Sequence, residues 1–231
     1  MLNILFWDID GTLIRTSKAG LFAFCQATEE LWDTSVDLAN ITAAGMTDNF
    51  IARQIIQSVF QREAKQEEIN LLCRRYESIL PAQLNAKQGW VLPEVQNILS
   101  RLYERDDCKL LLLTGNSSQG AQVKLRHFEL AGFFDFSCSA FAGQCELRVD
   151  IARSALEIVR SHWGDPKQHA ICVIGDTPHD IQCGKAIGAY TISVATGTYS
   201  AEQLQSCSPW WNVETLPVPE SFIEKIAAIR R

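Results

Sequence analysis

The sequence predicts an α/β fold: a doubly wound parallel sheet with an all-helical domain inserted near the start of the chain. Three short apolar segments are typical of strands buried on both faces, and each ends in small polar or acidic residues. Residues 16–85 show helical periodicity alone, and from residue 86 onward predicted strands and helices alternate. We therefore divide the 231-residue chain into a Rossmann-like core, residues 1–15 and 86–231, and an inserted helical domain, residues 16–85.

The first predicted strand is a nearly continuous apolar run, residues 2–7, that leads into Asp8 and Asp10. Burying a carboxylate costs several kcal/mol unless it is paired or bound to a metal. Two carboxylates at one strand end, followed at once by Gly11 and Thr12, therefore indicate a divalent cation. One carboxylate is then free to attack a substrate, and the other to transfer protons.

The inserted domain contains three predicted helices. Apolar residues recur with i, i+3, i+4 and i+7 spacing between Leu21 and Trp32, between Ile51 and Val59, and between Ile69 and Leu80. No strand-like alternation interrupts this segment, so we predict a separate, all-helical unit.

The chain returns to the core near Gly89, where Pro93 suits the first position of a helix that carries the apolar residues of 95–102. A second apolar strand, residues 109–113, follows that helix and leads into Thr114-Gly115-Asn116-Ser117.

Helices and strands continue to alternate in the C-terminal half. We predict a helix near residues 117–131, a helix that is N-capped by Asp150 and ended by Gly164, and a strand at residues 191–194. Residues 200–203, Ser-Ala-Glu-Gln, have the form of a capping box.

The third apolar strand, residues 170–174, leads into Gly175, Asp176 and Asp180. In open α/β sheets the carboxyl ends of the strands form the edge where ligands bind, so we expect the polar residues after all three strands to meet there. Each group alone is also explained by turn formation or helix capping. The coincidence of three such groups favours a functional site.

Composition narrows the range of partners. A formal net charge of −6 argues against nucleic acid and against an anionic membrane surface. The eight cysteines include no Cys-x-x-Cys pair, which favours free thiols in a reducing cytoplasm. The first apolar run is short and ends in acids, unlike a signal peptide or a membrane span.

These motifs resemble those of the haloacid dehalogenase superfamily of phosphotransferases. Its first motif, Asp-x-Asp-Gly-Thr, matches residues 8–12; its second, a Ser or Thr that ends a strand, matches Thr114; its fourth, Gly-Asp-x-x-x-Asp, matches residues 175–180. The inserted helices are similar to the helical cap of the phosphoglycolate phosphatase-like group. The resemblance implies a Mg²⁺-dependent phosphatase that hydrolyses a small phosphate monoester through an aspartyl-phosphate.

Roles for the acids follow from phosphoryl-transfer chemistry together with this resemblance. Asp8 is the predicted nucleophile and Asp10 the general acid and base. The metal site is predicted to comprise Asp8, Asp176 and, as the resemblance implies, the backbone carbonyl of Asp10. Asp180, one helical turn after Asp176, is assigned to a metal-bound water or to support of the site.

Phosphate oxygens are expected to bind Thr114 and the amides of Gly115 and Asn116 at a helix start; the alternative is that Thr114 only caps that helix. The superfamily's third motif is a lysine, and this chain has none between Lys124 and Lys167. Arg148 is our candidate replacement because a guanidinium can hold phosphate through two parallel hydrogen bonds. Arg153 is the competing candidate, and a solvated surface charge is the alternative for either.

Specificity is expected to reside in the helical insertion and the segment that joins it. Its basic residues suit a small anionic ester such as phosphoglycolate or a sugar phosphate, although each residue alone also fits a turn, an N-cap or a solvated charge. The candidates are Arg15, Lys18, Gly45, Thr47, Asp48 and Arg53.

Two other functions remain open at this point. A phosphomutase of the β-phosphoglucomutase type shares every core motif, and a catalytically silent binding module could use the same fold. The acid at Asp10 argues against dehalogenation and phosphonate hydrolysis, since those branches lack it. The predicted partner is a small phosphorylated metabolite. The sequence does not specify an oligomeric state.

Overall fold

The computed structural model describes residues 1–143 and 147–230. The strands are β1 (Asn3–Trp7), β2 (Ile14–Arg15), β3 (Trp90–Val91), β4 (Cys108–Leu112), β5 (Ala170–Gly175), β6 (Tyr190–Val194) and β7 (Trp211–Val213). The helices are α1 (Ala19–Trp32), α2 (Asp48–Phe60), α3 (Gln66–Ala86), α4 (Val95–Tyr103), α5 (Ser118–His127), α6 (Arg148–Trp163), α7 (Pro178–Ala186), α8 (Ala201–Ser206) and α9 (Pro219–Ala227).

A parallel sheet of five strands, in the order β4-β1-β5-β6-β7, forms the core. β1 lies between β4 and β5 and is buried along its whole length, as its continuous apolar run predicts. Its side chains alternate between two apolar clusters: Leu5 and Trp7 pack with α4, α5 and α9, whereas Ile4 and Phe6 pack with α6 and α7. Helices therefore cover both faces, and the predicted doubly wound α/β fold is confirmed.

Helices α1, α2 and α3 bury an apolar cluster of their own. Phe24 of α1 stacks on Tyr76 of α3 with ring centroids 3.9 Å apart. The two chain segments that join these helices to the core pair as the antiparallel strands β2 and β3, with Ile14 opposite Val91. Because this cluster is separate from those of the sheet, we propose that residues 16–85 form the inserted domain, and we call them the cap.

Three predicted helix boundaries are wrong. α4 begins at Val95 rather than at Pro93, because Glu94 adopts a left-handed conformation (φ 61°) and ends a turn there. α6 begins at Arg148, so Asp150 lies in the first helical turn instead of capping it, and it pairs with Arg153. α5 ends at His127, short of residue 131, since Glu129 also takes a positive φ.

Two sequence signals for helix ends are confirmed. Gly164 ends α6 with a φ of 87°, and Ser200 and Gln203 form the predicted capping box. The seven cysteines in the described part of the chain are free thiols, and Cys145 lies outside it. Within the described ranges, no helix combines the length and apolar character needed to cross a bilayer.

Candidate active site

Acidic side chains that follow β1 and β5 meet at the carboxyl edge of the sheet. Asp8, Asp176 and Asp180 each place a carboxylate oxygen within 4.8 Å of the other two, and all three are buried. Thr12 donates a hydrogen bond to Asp176 Oδ1 at 3.1 Å. The parallel register of β1 and β5 brings Asp8 close to Asp176 and Asp180, although about 170 positions separate Asp8 from the other two in the chain.

The charge of this cluster is only partly balanced. Arg148 contacts Asp180 and lies 3.2 Å from Asp8 Oδ1, so one guanidinium faces three carboxyl groups. Burial raises the pKa of Asp8 to about 6, against the opposing effect of Arg148, and raises that of Asp176 well above its ordinary value. Buried hard oxygen ligands with excess negative charge fit Mg²⁺, which would relieve their mutual repulsion.

Asp180 is fixed by its neighbours. Its Oδ2 accepts hydrogen bonds from the backbone N–H of Thr177 at 3.0 Å and from the Thr177 hydroxyl at 2.6 Å, which completes a capping box at the start of α7. Its Oδ1 accepts from Arg148. Asp180 therefore holds Arg148 beside Asp8, a geometry compatible with the supporting role predicted for it.

The two candidate arginines occupy different environments. The Arg148 side chain is 5% exposed, and its Nε is a buried donor without a hydrogen-bond partner in the described ranges. The Arg153 side chain is 69% exposed and pairs with Asp150 at 2.8 Å. Of the two, Arg148 is therefore placed to contact a group bound at Asp8.

Asp10 lies apart from the three-carboxylate cluster and contacts a different cation. Its side chain is 40% exposed, and its Oδ2 accepts hydrogen bonds from Lys124 Nζ at 2.6 Å and from Asn116 Nδ2 at 3.0 Å. Lys124 is buried and also donates to Asn116 Oδ1 at 2.5 Å.

Lys124 is not among the site residues that the sequence predicts. One signal was present: Lys124 lies on the same apolar helix face as Ala121 and Leu125, which are both buried. A lysine on a buried face needs an anionic partner, and Asp10 supplies it.

The loop after β4 is organised around Thr114. The Thr114 hydroxyl is fully buried and accepts from the backbone N–H of Asn116 at 3.3 Å and from Asn116 Nδ2 at 2.8 Å. Ser117, not Thr114, caps α5, because its hydroxyl accepts from the Gly120 N–H at 3.0 Å. The alternative that Thr114 serves only as an N-cap is therefore wrong.

Cap residues reach this loop directly. Asp48 Oδ2 accepts from the Ser117 N–H at 2.8 Å, and the Asp48 N–H donates to the Gly115 carbonyl at 2.9 Å. Ser117 also donates its hydroxyl to Glu77 Oε1 at 2.5 Å. A Cβ on Gly115 would lie 2.4 Å from the Met46 carbonyl oxygen, so this close approach requires glycine.

Other predicted cap residues have structural contacts. Thr47 caps α2 by accepting from the Phe50 N–H at 3.1 Å, and Gly45 has a φ of 73° that favours glycine. Arg15 donates to the backbone carbonyls of Thr196 and Gly197.

A cavity of about 430 Å³ separates the carboxylates from the cap. Asp8, Asp10, Asn116, Arg148 and Asp176 line it from the core, and Arg15 and Lys18 line it where the two parts join. Arg53, on α2, is not among the described residues that line it.

The family follows from comparison with known proteins. A family model described as haloacid dehalogenase-like hydrolase matches residues 4–194. The chain belongs to this family. The predicted superfamily is thus confirmed.

Proteins with similar sequences or structures have names that are consistent with this family. "Probable phosphatase IndB" from Dickeya dadantii is 23% identical over 217 residues, covering 93% of this chain and 90% of that protein. A "predicted phosphoglycolate phosphatase" from Haemophilus somnus has a similar structure with a TM-score of 0.70 at 16% identity, covering 98% of each chain. A "putative beta-phosphoglucomutase" from Bacteroides vulgatus gives 0.69 at 17% identity, covering 98% of this chain and 89% of that one. At these identities the two structures show the fold alone.

Proposed function

We propose that this chain is a Mg²⁺-dependent phosphatase that hydrolyses a small phosphorylated metabolite through an aspartyl-phosphate on Asp8. The observation that carries the proposal is the placement of the buried Asp8 carboxylate at the cavity, 3.2 Å from Arg148. Membership of a hydrolase family and a relative named as a phosphatase support it. The free cysteines of the described ranges support the expected cytoplasmic location.

Transfer of the phosphoryl group to Asp8 requires positive charge and hydrogen-bond donors around the phosphoryl oxygens. Arg148 supplies a buried guanidinium, and the loop of Thr114, Gly115 and Asn116 supplies polar groups after β4. Mg²⁺, held by the Asp8 and Asp176 carboxylates and the Asp10 backbone carbonyl, would add positive charge to that of Arg148. Asp8 then attacks phosphorus in line with the departing alcohol.

Asp10 is the proposed proton donor and acceptor. Its side chain lines the cavity and remains 40% exposed, so it is accessible to the leaving oxygen. It protonates that oxygen in the first step and takes a proton from the attacking water in the second. Lys124 and Asn116 orient the carboxylate through their hydrogen bonds.

Phosphate release tests this proposal. Purified protein is incubated with a panel of phosphate monoesters in the presence of Mg²⁺, and again with EDTA. We expect phosphate release with Mg²⁺, its loss with EDTA and its return on adding the metal back. Absence of release from every ester would contradict the proposal, and isomerisation of a hexose 1-phosphate without release would favour the phosphomutase.

A further inference from the structure

We propose that the alcohol released by this enzyme is uncharged and largely apolar, such as an alkyl or arylmethyl alcohol, rather than a hydroxy acid or a sugar. This inference rests on the proposed phosphatase function and names its substrate class. The basic residues of the sequence favour a different class, a small anionic ester such as phosphoglycolate or a sugar phosphate. The observation that supports an apolar alcohol is the apolar character of the cavity wall that the cap contributes.

The cavity has chemically distinct walls. Its core wall carries the polar groups that face the phosphoryl position, Asp8, Asp10, Asn116 and Arg148. The wall contributed by cap helices and the loop before α2 is mainly apolar. Its large apolar and aromatic side chains are Leu21, Phe24, Met46, Ile51 and Tyr76, and Lys18 also lines the cavity. An ester seated with its phosphoryl group on the core would place its alcohol portion against this apolar wall.

Three polar side chains that line the cavity, Asp48, Ser17 and Arg15, form hydrogen bonds with the protein. Asp48 accepts from the Ser117 N–H at 2.8 Å. Ser17 donates its hydroxyl to the Gln88 carbonyl at 2.6 Å, and Arg15 donates to the Gly197 carbonyl at 3.0 Å. A sugar would bring several hydroxyl groups to a wall that is mainly apolar, and unpaired buried hydroxyls reduce affinity.

Carboxylates line the cavity on both sides, alongside the cations Arg15 and Lys18, and they disfavour an anionic alcohol placed next to them. Asp48 lines the cavity from the cap, and Asp10 lines it from the core. Burial raises the pKa of Asp48 to about 6, so this carboxyl is ionised at pH 8. The buried cation beside them, Lys124, is bound to Asp10 and Asn116. A second anionic group placed between Asp10 and Asp48 would therefore meet carboxylates.

The volume sets the size of the alcohol. About 430 Å³ lies within the range of small-molecule pockets, roughly 300–1,000 Å³, at its lower end. This space accommodates a phosphoryl group with one aromatic ring or a short alkyl chain. Polymers and long-chain lipids exceed it.

Four esters of primary alcohols test the inference: benzyl phosphate, glycerol 1-phosphate, phosphoglycolate and choline phosphate. They offer the apolar wall an apolar, a polar, an anionic and a cationic group, respectively. At pH 8 with Mg²⁺ we expect kcat/KM for benzyl phosphate to exceed each of the others by about tenfold or more, the discrimination that apolar pockets commonly give. A higher kcat/KM for any other ester would overturn the inference.

A pair of matched variants tests whether the preference for benzyl phosphate depends on the apolar wall of the cavity. Leu21→Gln places an amide on the apolar wall, whereas Leu71→Gln makes the same change on an exposed face of the cap, where Leu71 is 40% exposed. We expect Leu21→Gln to lower the benzyl-to-glycerol ratio of kcat/KM about tenfold and Leu71→Gln to leave it unchanged. Circular dichroism and thermal unfolding confirm that both variants fold, and Leu21→Met should restore the ratio.

The two proposals fail in different ways. If no ester releases phosphate, the phosphatase function is wrong. If esters are hydrolysed but benzyl phosphate is not preferred, or if Leu21→Gln leaves the ratio unchanged in a folded protein, the phosphatase function stands and the apolar alcohol is wrong.

Discussion

Individual residues at the sheet edge lie in different surroundings, which suit the separate roles that we propose for them. Asp8 lies beside Arg148 in a buried cluster, whereas Asp10 is partly exposed and bound to Lys124. The proposed nucleophile thus faces a guanidinium that can also contact phosphate, and the proposed proton-transfer group is bound to the ammonium group of Lys124 on α5. Each cation can be tested by a single substitution.

Arg148 is expected to neutralise the phosphoryl group. Arg148→Ala should lower kcat/KM by about 10²–10³-fold, the usual effect of losing a donor to a developing negative charge. Arg148→Lys should recover part of the activity, because it restores the charge without the planar fork. Arg153→Ala, which removes an exposed pair with Asp150, should have little effect. A larger loss from Arg153→Ala would transfer the role to that residue.

Lys124 is expected to position Asp10. Lys124→Met keeps most of the length of the side chain and removes its hydrogen bonds to Asp10 and Asn116, so kcat should fall by about tenfold or more. Lys167→Met is the control, since Lys167 is exposed and lies before β5, at the amino end of the sheet strands. Equal activities in steady-state assays of the two variants would show that Asp10 needs no such support.

The raised pKa of Asp8 predicts a pH-dependent cost in stability. A carboxyl whose pKa is about 6 in the folded protein and 3.8 when unfolded binds more protons when folded, so its contribution to stability falls as pH rises between those values. In metal-free buffer, Asp8→Asn should therefore become more stable than the natural protein as pH rises from 4 to 7, measured by urea unfolding. Asp150→Asn, with a side chain 44% exposed, should show no such trend. A constant difference across this range for Asp8→Asn would be evidence against a raised pKa.

At the scale of elements, the start of α5 connects cap and core. Ser117 caps the helix, its N–H donates to Asp48, and its hydroxyl donates to Glu77. Ser117→Ala removes the cap and the Glu77 contact, which should cost about 1 kcal/mol and lower Tm by roughly 2–4 °C. Ser118→Ala, at the exposed next position, is the matched control. Equal melting temperatures in calorimetry for the two variants would argue against this connection.

Strand positions and the general plan of the elements could be predicted from the sequence because buried parallel strands have a distinctive apolar pattern. Helix starts were less predictable. Asp150 looked like an N-cap, yet the helix starts two residues earlier, and the left-handed Glu94 has no clear signature in composition. Strand β7, with half-buried Trp211 and Asn212, lacks the apolar run that marks the other strands of the five-stranded sheet, and it was missed. The two-residue strands β2 and β3 were also missed.

The same distinction, between local sequence patterns and contacts set by tertiary structure, applies to the candidate site residues. Asp8, Asp10, Thr114 and Asp176 could be predicted because each follows a recognisable strand. The contact of Lys124 with Asp10 joins positions 114 residues apart and depends on which way α5 faces, which a local pattern does not specify.

At the scale of the whole molecule, the cavity lies where two separately packed parts meet. The core contributes most of the charged groups and the cap most of the apolar surface, so we expect chemistry and selectivity to come from different segments of the chain. Closure of the cap over the carboxylates would exclude water from the reacting groups and strengthen their interactions with phosphate.

The measurement that most directly tests the central claim is acid-quenched detection of the phosphoenzyme. Protein with Mg²⁺ is mixed with an ester carrying a radiolabelled phosphoryl group and quenched in acid within the first turnover. The account predicts label on the peptide that contains Asp8, removable by hydroxylamine as expected of an acyl phosphate, and none on Asp8→Asn. Label on another residue, or turnover of the ester with no labelled protein at any quench time, would contradict it.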